Sequence, residues 1–259
     1  MVSEVLKNVI LAIIQGISEW FPISSDGHLV LFSFLLGSPS SLEFIVALHF
    51  GTLMSVFVYF GRDITNILED ILKGKWKTEN SKMGFLIAVS AIPAALIGFL
   101  FKRFIETTFT SLLVTAIGFG ITSLSLFIAS MDFSKKQKEM GYRDAFLMGV
   151  AQIFAMLPGI SRSGMTISSG LLLGLDEKKA VRFSFLMSVP VIFGAGLLEL
   201  GTGKLSPDLI LPTLISFVVG LLAIHLLLKI ISRSRKNLRW FGLYCILLSL
   251  IIILWLILK

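Results

Sequence analysis

The stretch Gln15-Gly-Ile-Ser-Glu19-Trp-Phe-Pro22-Ile-Ser24-Ser25-Asp26-Gly27-His28 sets acids, hydroxyls, a histidine and helix breakers into the middle of an otherwise apolar run. Residues 5–37 are long enough to cross a bilayer as one helix, but proline and glycine interrupt them here. The second arm, residues 27–37, amounts to about 16 Å of helix, roughly half the hydrocarbon thickness. An arm that short does not cross. The region is therefore read as a re-entrant helical hairpin, whose irregular backbone at membrane depth has to be buried in protein or line a wet cavity. A second stretch, Leu157-Pro158-Gly159-Ile160-Ser161-Arg162-Ser163-Gly164-Met165-Thr166, breaks residues 144–175 in the same way, with an arginine in place of the acids. The two turns are expected to meet and form one phosphate site.

Composition agrees with a membrane setting. Of 259 residues, 55% are hydrophobic and only 15% charged, which is too apolar for a soluble globular domain and points to a polytopic membrane protein of one domain, residues 1–259. The single cysteine, Cys245, excludes disulfides within the chain and clustered-thiolate metal sites. The N-terminus lacks the basic region and cleavage site of a secretory signal, so residue 1 onward is read as mature protein. A net charge of +7 fits lysine and arginine in cytoplasmic loops better than a nucleic-acid partner, and none is expected.

Outside the hairpins, six stretches suffice to span: residues 43–61, 83–101, 111–130, 183–200, 208–231 and 240–258. Threading them places sixteen lysines and arginines on one side, among them Lys73, Lys135, Lys136 and Lys236, and five on the other: Lys7, Lys102, Arg103, Lys204 and Lys259. The richer side is cytoplasmic by the positive-inside rule, so both termini and the mouth of the first hairpin are expected on the outer face of the cell membrane. A true span at either hairpin would scramble this bias. In the longest linker, residues 63–73 read as an interfacial helix.

The two halves also repeat. At an offset of 137, Gln15 falls on Gln152, Ile23-Ser24 on Ile160-Ser161, Ser25 on Arg162 and Gly27 on Gly164. Each half is a hairpin plus three transmembrane helices, repeat 1 over residues 1–131 and repeat 2 over 140–259, and three is odd. The second half is therefore inserted upside down, giving an all-α inverted repeat of six spans and two re-entrant hairpins.

In such a repeat the tips of broken helices meet near the midplane, where helix N-termini at Gly27 and Gly164 favour an anion. Ser24, Ser25, Ser161, Ser163 and Thr166 add donors, although helix capping alone accounts for a serine before each arm. Arg162 is a cation inside an apolar segment, which marks a function by default, and its planar guanidinium suits bidentate phosphate. The bland alternative is an ion pair with Glu19 that only locks the hairpins. Gln15 and Glu19, four apart, share a helix face, and Glu19 could hold a divalent metal or act as a base. His28 could serve as nucleophile, base or acid. His49, mid-span and three residues before Thr52, gives a weaker signal; His225 reads as packing, and Trp20 and Phe21 as lipid-facing or core.

At these residues the sequence resembles the undecaprenyl-diphosphate phosphatase family of integral membrane enzymes associated with bacitracin resistance. The resemblance covers essentially the whole chain and rests on two signatures, Gln15 to His28 and Pro158 to Gly164. It implies hydrolysis of the terminal phosphate of a polyprenyl diphosphate, recycling the lipid carrier, with magnesium or calcium at a site opening to the outer face. By position it makes Glu19 the metal or general-base carboxylate, Ser25 and His28 the nucleophile candidates, and Arg162 the diphosphate clamp. Ser25 is preferred as attacking group because it would sit at the helix mouth; a phosphohistidine stays open. Ser24, Gly27, Ser161, Ser163, Gly164 and Thr166 would surround the phosphates. Two departures bear on the metal. Gln15 stands where many members have glutamate, and Asp26 where a small hydroxyl residue is common, so Glu19, Gln15 and Asp26 are the candidate metal ligands. The expected partners are the lipid substrate and membrane lipids, with a homodimer left open. The competing reading is a lipid-phosphate flippase or secondary transporter built on the same scaffold.

Overall fold

A computed structural model describes residues 3–37, 41–109, 111–131, 138–200 and 206–259. Lys135, Lys136 and Lys204 of the loop-charge comparison lie outside the described residues. Among those described, all regular structure is helical. The first half comprises α1 (Glu4–Trp20), α2 (Ser25–Leu35), α3 (Leu42–Tyr59), α4 (Gly61–Leu72), α5 (Glu79–Leu100), α6 (Lys102–Thr108) and α7 (Leu112–Ser130). The second comprises α8 (Tyr142–Phe154), α9 (Arg162–Leu172), α10 (Glu177–Leu200), α11 (Ile210–Arg233) and α12 (Leu238–Leu258).

Among the described residues, four helical segments are long and apolar enough to cross a membrane: Glu79–Leu100, Leu112–Ser130, Pro207–Arg233 and Arg235–Leu258. A fifth arises if α3 and α4, bent by 77° at their junction, are taken together. The chain is a multi-pass membrane protein. Its side chains are sorted accordingly, with apolar groups outward and hydroxyls inward. On α1, Val5, Leu6, Ile13 and Ile17 are exposed while Gln15, Ser18 and Glu19 are buried. Trp20 is fully buried, donates from Nε1 to Ser55 Oγ (3.1 Å) and packs edge-on against Phe185, so it belongs to the core.

Small residues let the helices approach closely. A Cβ on Gly149 of α8 would fall 2.3 Å from the Ser90 carbonyl oxygen of α5, and one on Gly51 of α3 would fall 2.3 Å from the Thr213 carbonyl oxygen of α11. Such contacts drive helix association where lipid tails are as apolar as the side chains they replace. α7 and α12 are joined by a reciprocal pair of bonds: Ser123 Oγ donates to Gly242 O (2.8 Å), and Ser249 Oγ donates to Ala116 O (2.7 Å). The earlier residue of each helix faces the later residue of the other, so the two run antiparallel. Elsewhere α1 packs on α11 and α8 on α5, α3 packs on α11 and α10 on α5, and α3 meets α10.

Both polar stretches fall at breaks, between α1 and α2 and between α8 and α9. α2 and α9 each have 11 residues, so each is about 16 Å long. Ser24 Oγ accepts from Gly27 N at the start of α2, and Ser161 Oγ accepts from Gly164 N at the start of α9. These satisfy N–H groups that a helix start leaves without partners. The residues 63–73 expected to be helical fall largely within α4, whose buried Ile67 lies with Ile71 against Gly84 of α5.

Candidate active site

The two breaks touch. A Cβ on Gly27 would fall 2.8 Å from both Cα and N of Gly159, so only glycine permits this approach. Gly159 has φ +88° and makes the turn before α9. Thr122 of α7 anchors that turn, donating to Gly159 O (2.8 Å) and accepting from Ser161 N (2.8 Å). Ser163 Oγ donates to Phe21 O across the junction (3.1 Å).

At this junction Glu19, at the end of α1, collects the polar groups. Its Oε1 accepts from Arg162 Nη2, and its Oε2 accepts from Ser25 Oγ (2.7 Å) and Gln15 Nε2 (3.0 Å). Arg162 also lies over the Trp20 ring, 5.4 Å from its centroid. His49 Nε2 is 3.5 Å from Glu19 Oε2 and 3.5 Å from Asp26 Oδ1, while its Nδ1 faces Ile45 O at 2.9 Å. The Glu19 side chain is 5% exposed, against 27% for Asp26 and 21% for His49, so the cluster opens on the side of the latter two.

One donor in the cluster is left over. Arg162 Nη1 is buried and has no protein partner, and neither does Gln15 Oε1. A guanidinium nitrogen without a partner in an interior is costly unless a ligand accepts from it. The arrangement offers a hydroxyl hydrogen-bonded to a carboxylate, with a fixed cation beside both, which is the equipment for nucleophilic attack on a phosphoryl group.

A family described as "Bacitracin resistance protein BacA" matches residues 8–251. The chain belongs to that family. Similar proteins, each called undecaprenyl-diphosphatase, include one from Thermosipho africanus, 39% identical over 95% of this chain and 98% of its own. Those from Korarchaeum cryptofilum and Christiangramia forsetii are 37% and 41% identical, covering 96% and 95% of this chain and 98% and 96% of their own.

Not every residue of the two family signatures reaches the Glu19 cluster. Glu19, Ser25, Gln15 and Arg162 are brought together, with Asp26 alongside through His49. His28 turns away: its Nδ1 is 2.7 Å from Ser24 O and its Nε2 2.7 Å from the Tyr244 hydroxyl. Thr166 Oγ1 lies 2.8 Å from Arg162 O of its own helix and 2.6 Å from Ser184 Oγ. Ser24, Ser161, Ser163, Gly27 and Gly164 build the junction through the capping and cross-junction contacts above. His49 joins the cluster without belonging to either signature. Its sequence signal was a lone polar ring in mid-span, expensive in a membrane and so suggestive of function.

Among the described residues no group of three or more His, Cys, Asp or Glu side chains is arranged to hold a metal ion unaided. Hard divalent cations are commonly held by one or two carboxylates together with substrate phosphates. Glu19 and Asp26, each 3.5 Å from His49 Nε2, and the orphaned Gln15 Oε1 are the oxygen groups at this junction that would join such a set.

Proposed function

We propose that the protein removes the terminal phosphate of undecaprenyl diphosphate, or a closely similar polyprenyl diphosphate, at the Glu19 junction, releasing the lipid monophosphate and inorganic phosphate. The observation that carries this reading is Ser25 Oγ hydrogen-bonded to Glu19 beside an Arg162 whose Nη1 has no protein partner. The relatives' name, undecaprenyl-diphosphatase, supplies the substrate class.

In the first step Ser25 Oγ bonds to the terminal phosphorus, its proton passes to Glu19, and the phosphorus–oxygen bond to the lipid phosphate breaks. The lipid monophosphate leaves, and Glu19 releases the proton to the wet mouth. In the second step water attacks the phosphoserine, Glu19 takes a proton from it and returns it to Ser25 Oγ, and inorganic phosphate departs. Arg162 neutralises charge on the equatorial oxygens throughout, with the starts of α2 and α9 nearby. Magnesium or calcium, held by Glu19, Asp26 and Gln15 Oε1 with phosphate oxygens, would supply further charge neutralisation. His28 is disfavoured as nucleophile because both ring nitrogens are engaged elsewhere.

The α1–α2 and α8–α9 pairs are read as re-entrant hairpins, with α3 and α10 completing six spans in an inverted repeat. Support comes from the half-length second arms, the loop-charge bias and the antiparallel α7–α12 pair with its reciprocal bonds. The exchanged packings of α1 on α11 and α8 on α5 point the same way. On this reading the site opens to the outer face.

Phosphate release from undecaprenyl diphosphate by detergent-solubilised protein tests the activity, because transport has no meaning without a membrane. Release that disappears in Ser25→Ala, with a phosphoserine at Ser25 trapped in the parent protein, is the expected result. No release with magnesium or calcium present would favour the flippase reading, and release undiminished in Ser25→Ala would remove Ser25 from the mechanism.

A further inference from the structure

Ser24 has φ 70° and ψ 101°, and among the described residues it is the only non-glycine with positive φ. A side chain in this region is strained and persists only where its surroundings hold it. Its carbonyl oxygen is held twice, by the His28 backbone N–H at 3.2 Å and by His28 Nδ1 at 2.7 Å. A carbonyl can only accept, so Nδ1 carries the proton. In the neutral ring Nε2 is then an acceptor, and its partner is the Tyr244 hydroxyl of α12 at 2.7 Å. The two rings stack with planes 8° apart, and Phe119 of α7 meets the imidazole edge-on at 5.2 Å. His28 is 3% exposed. The residue after Ser24 is Ser25, whose Oγ reaches Glu19.

We propose that Tyr244 and His28 are positioning residues: Tyr244 holds the imidazole of His28 in place through Nε2, and His28 holds the strained Ser24 turn that aims Ser25 Oγ at Glu19. Neither touches the phosphate. This rests on Ser25 being the attacking group. It gives the signature histidine a role other than nucleophile or base, and gives Tyr244, outside both signatures, a part in catalysis. Loss of the Tyr244 hydroxyl leaves Nε2 without its partner, so the imidazole is held less firmly against Ser24 O.

The experiment is a double-mutant cycle on kcat in the detergent-solubilised full chain. Glycine adopts positive φ without strain and is nearly as good a helix cap as serine, so Ser24→Gly makes the brace unnecessary. His28→Ala is expected to lower kcat about 100-fold in the parent, the scale of an ångström misplacement, and at most about tenfold in the Ser24→Gly background. KM changes little in either. Tyr244→Phe follows the same pattern more weakly and provides the readout should His28→Ala fail to fold. Equal factors in both backgrounds overturn the proposal, as does a phosphohistidine at position 28. If Ser25→Ala retains turnover, the Ser25 reading itself has failed; if Ser25→Ala is inactive and the cycle shows no coupling, only the positioning role has.

Discussion

Arg162 of α9 and Glu19 of α1 form a largely buried ion pair across 143 positions of sequence. It ties the two polar breaks together, and it leaves one guanidinium nitrogen unpartnered beside the carboxylate that receives Ser25. A purely structural pair would satisfy the arginine with protein groups. On the proposed reading the pair orients the cation and offers its remaining donor to a phosphate.

Arg162→Ala is accordingly expected to lower phosphate release about 10³-fold or more, as for other arginines that stabilise phosphoryl transfer. Arg162→Lys does not rescue it, because an ammonium cannot keep Glu19 and also present a second coplanar donor. Removing one member of the pair also destabilises, by up to roughly 3–5 kcal/mol, the cost for a fully buried pair. The double variant Glu19→Gln/Arg162→Met should therefore recover thermal stability in detergent without recovering activity. Recovery of both would make the pair structural only.

The sequence makes the two breaks legible because proline, glycine and serine punctuate a backbone that otherwise follows hydrophobic continuity. It makes Glu19 and Arg162 legible because charge in an apolar run needs a reason. The direction of a side chain at a helix start was less accessible. Ser25 and His28 are three apart in α2, yet Ser25 reaches Glu19 while His28 bends back to the carbonyl of Ser24, four residues earlier. What decides this is α12, which supplies Tyr244 from 216 positions away. His49 enters the site for a similar reason: packing against α10 and α11 fixes which side of α3 faces α1.

Gln15 offers a test of the metal reading. Its Oε1 has no partner, and Nε2 is bonded to Glu19. Gln15→Glu would add an anionic oxygen to the proposed donor set, so the magnesium or calcium concentration for half-maximal activity should fall by about tenfold, or ~1.4 kcal/mol. Chelation should abolish turnover in both proteins. Activity indifferent to chelator in the parent would remove the metal from the proposal.

Membrane orientation can be read from cysteine labelling in a Cys245→Ser background, since Cys245 is buried and the remaining sequence has no other thiol. Cysteine at Ser3 or Lys102 should react with an impermeant maleimide in intact cells. Cysteine at Lys77 or Lys236 should react only after permeabilisation. Labelling of Lys77 and Lys102 from the same side would contradict a crossing by α5 and with it the hairpin count.

Gly27 tests whether contact between the two breaks matters for catalysis. Gly27→Ala places a methyl group 2.8 Å from Gly159 Cα, Gly159 N and the Phe119 ring. Gly159 cannot retreat, because its own Cα faces the Thr115 carbonyl oxygen of α7 at a distance that leaves no room for a side chain. The α2 tip must therefore move outward. Overpacking of this kind costs typically about 1–3 kcal/mol, so a lowered melting temperature in detergent is expected. The larger effect should fall on turnover. Displacing α2 separates Ser25 from Glu19 while leaving Arg162 on its own turn, so kcat should drop about 100-fold and KM should change less. A variant that melts early yet keeps its kcat at low temperature would show that the 2.7 Å bond between Ser25 and Glu19 is not needed for the reaction.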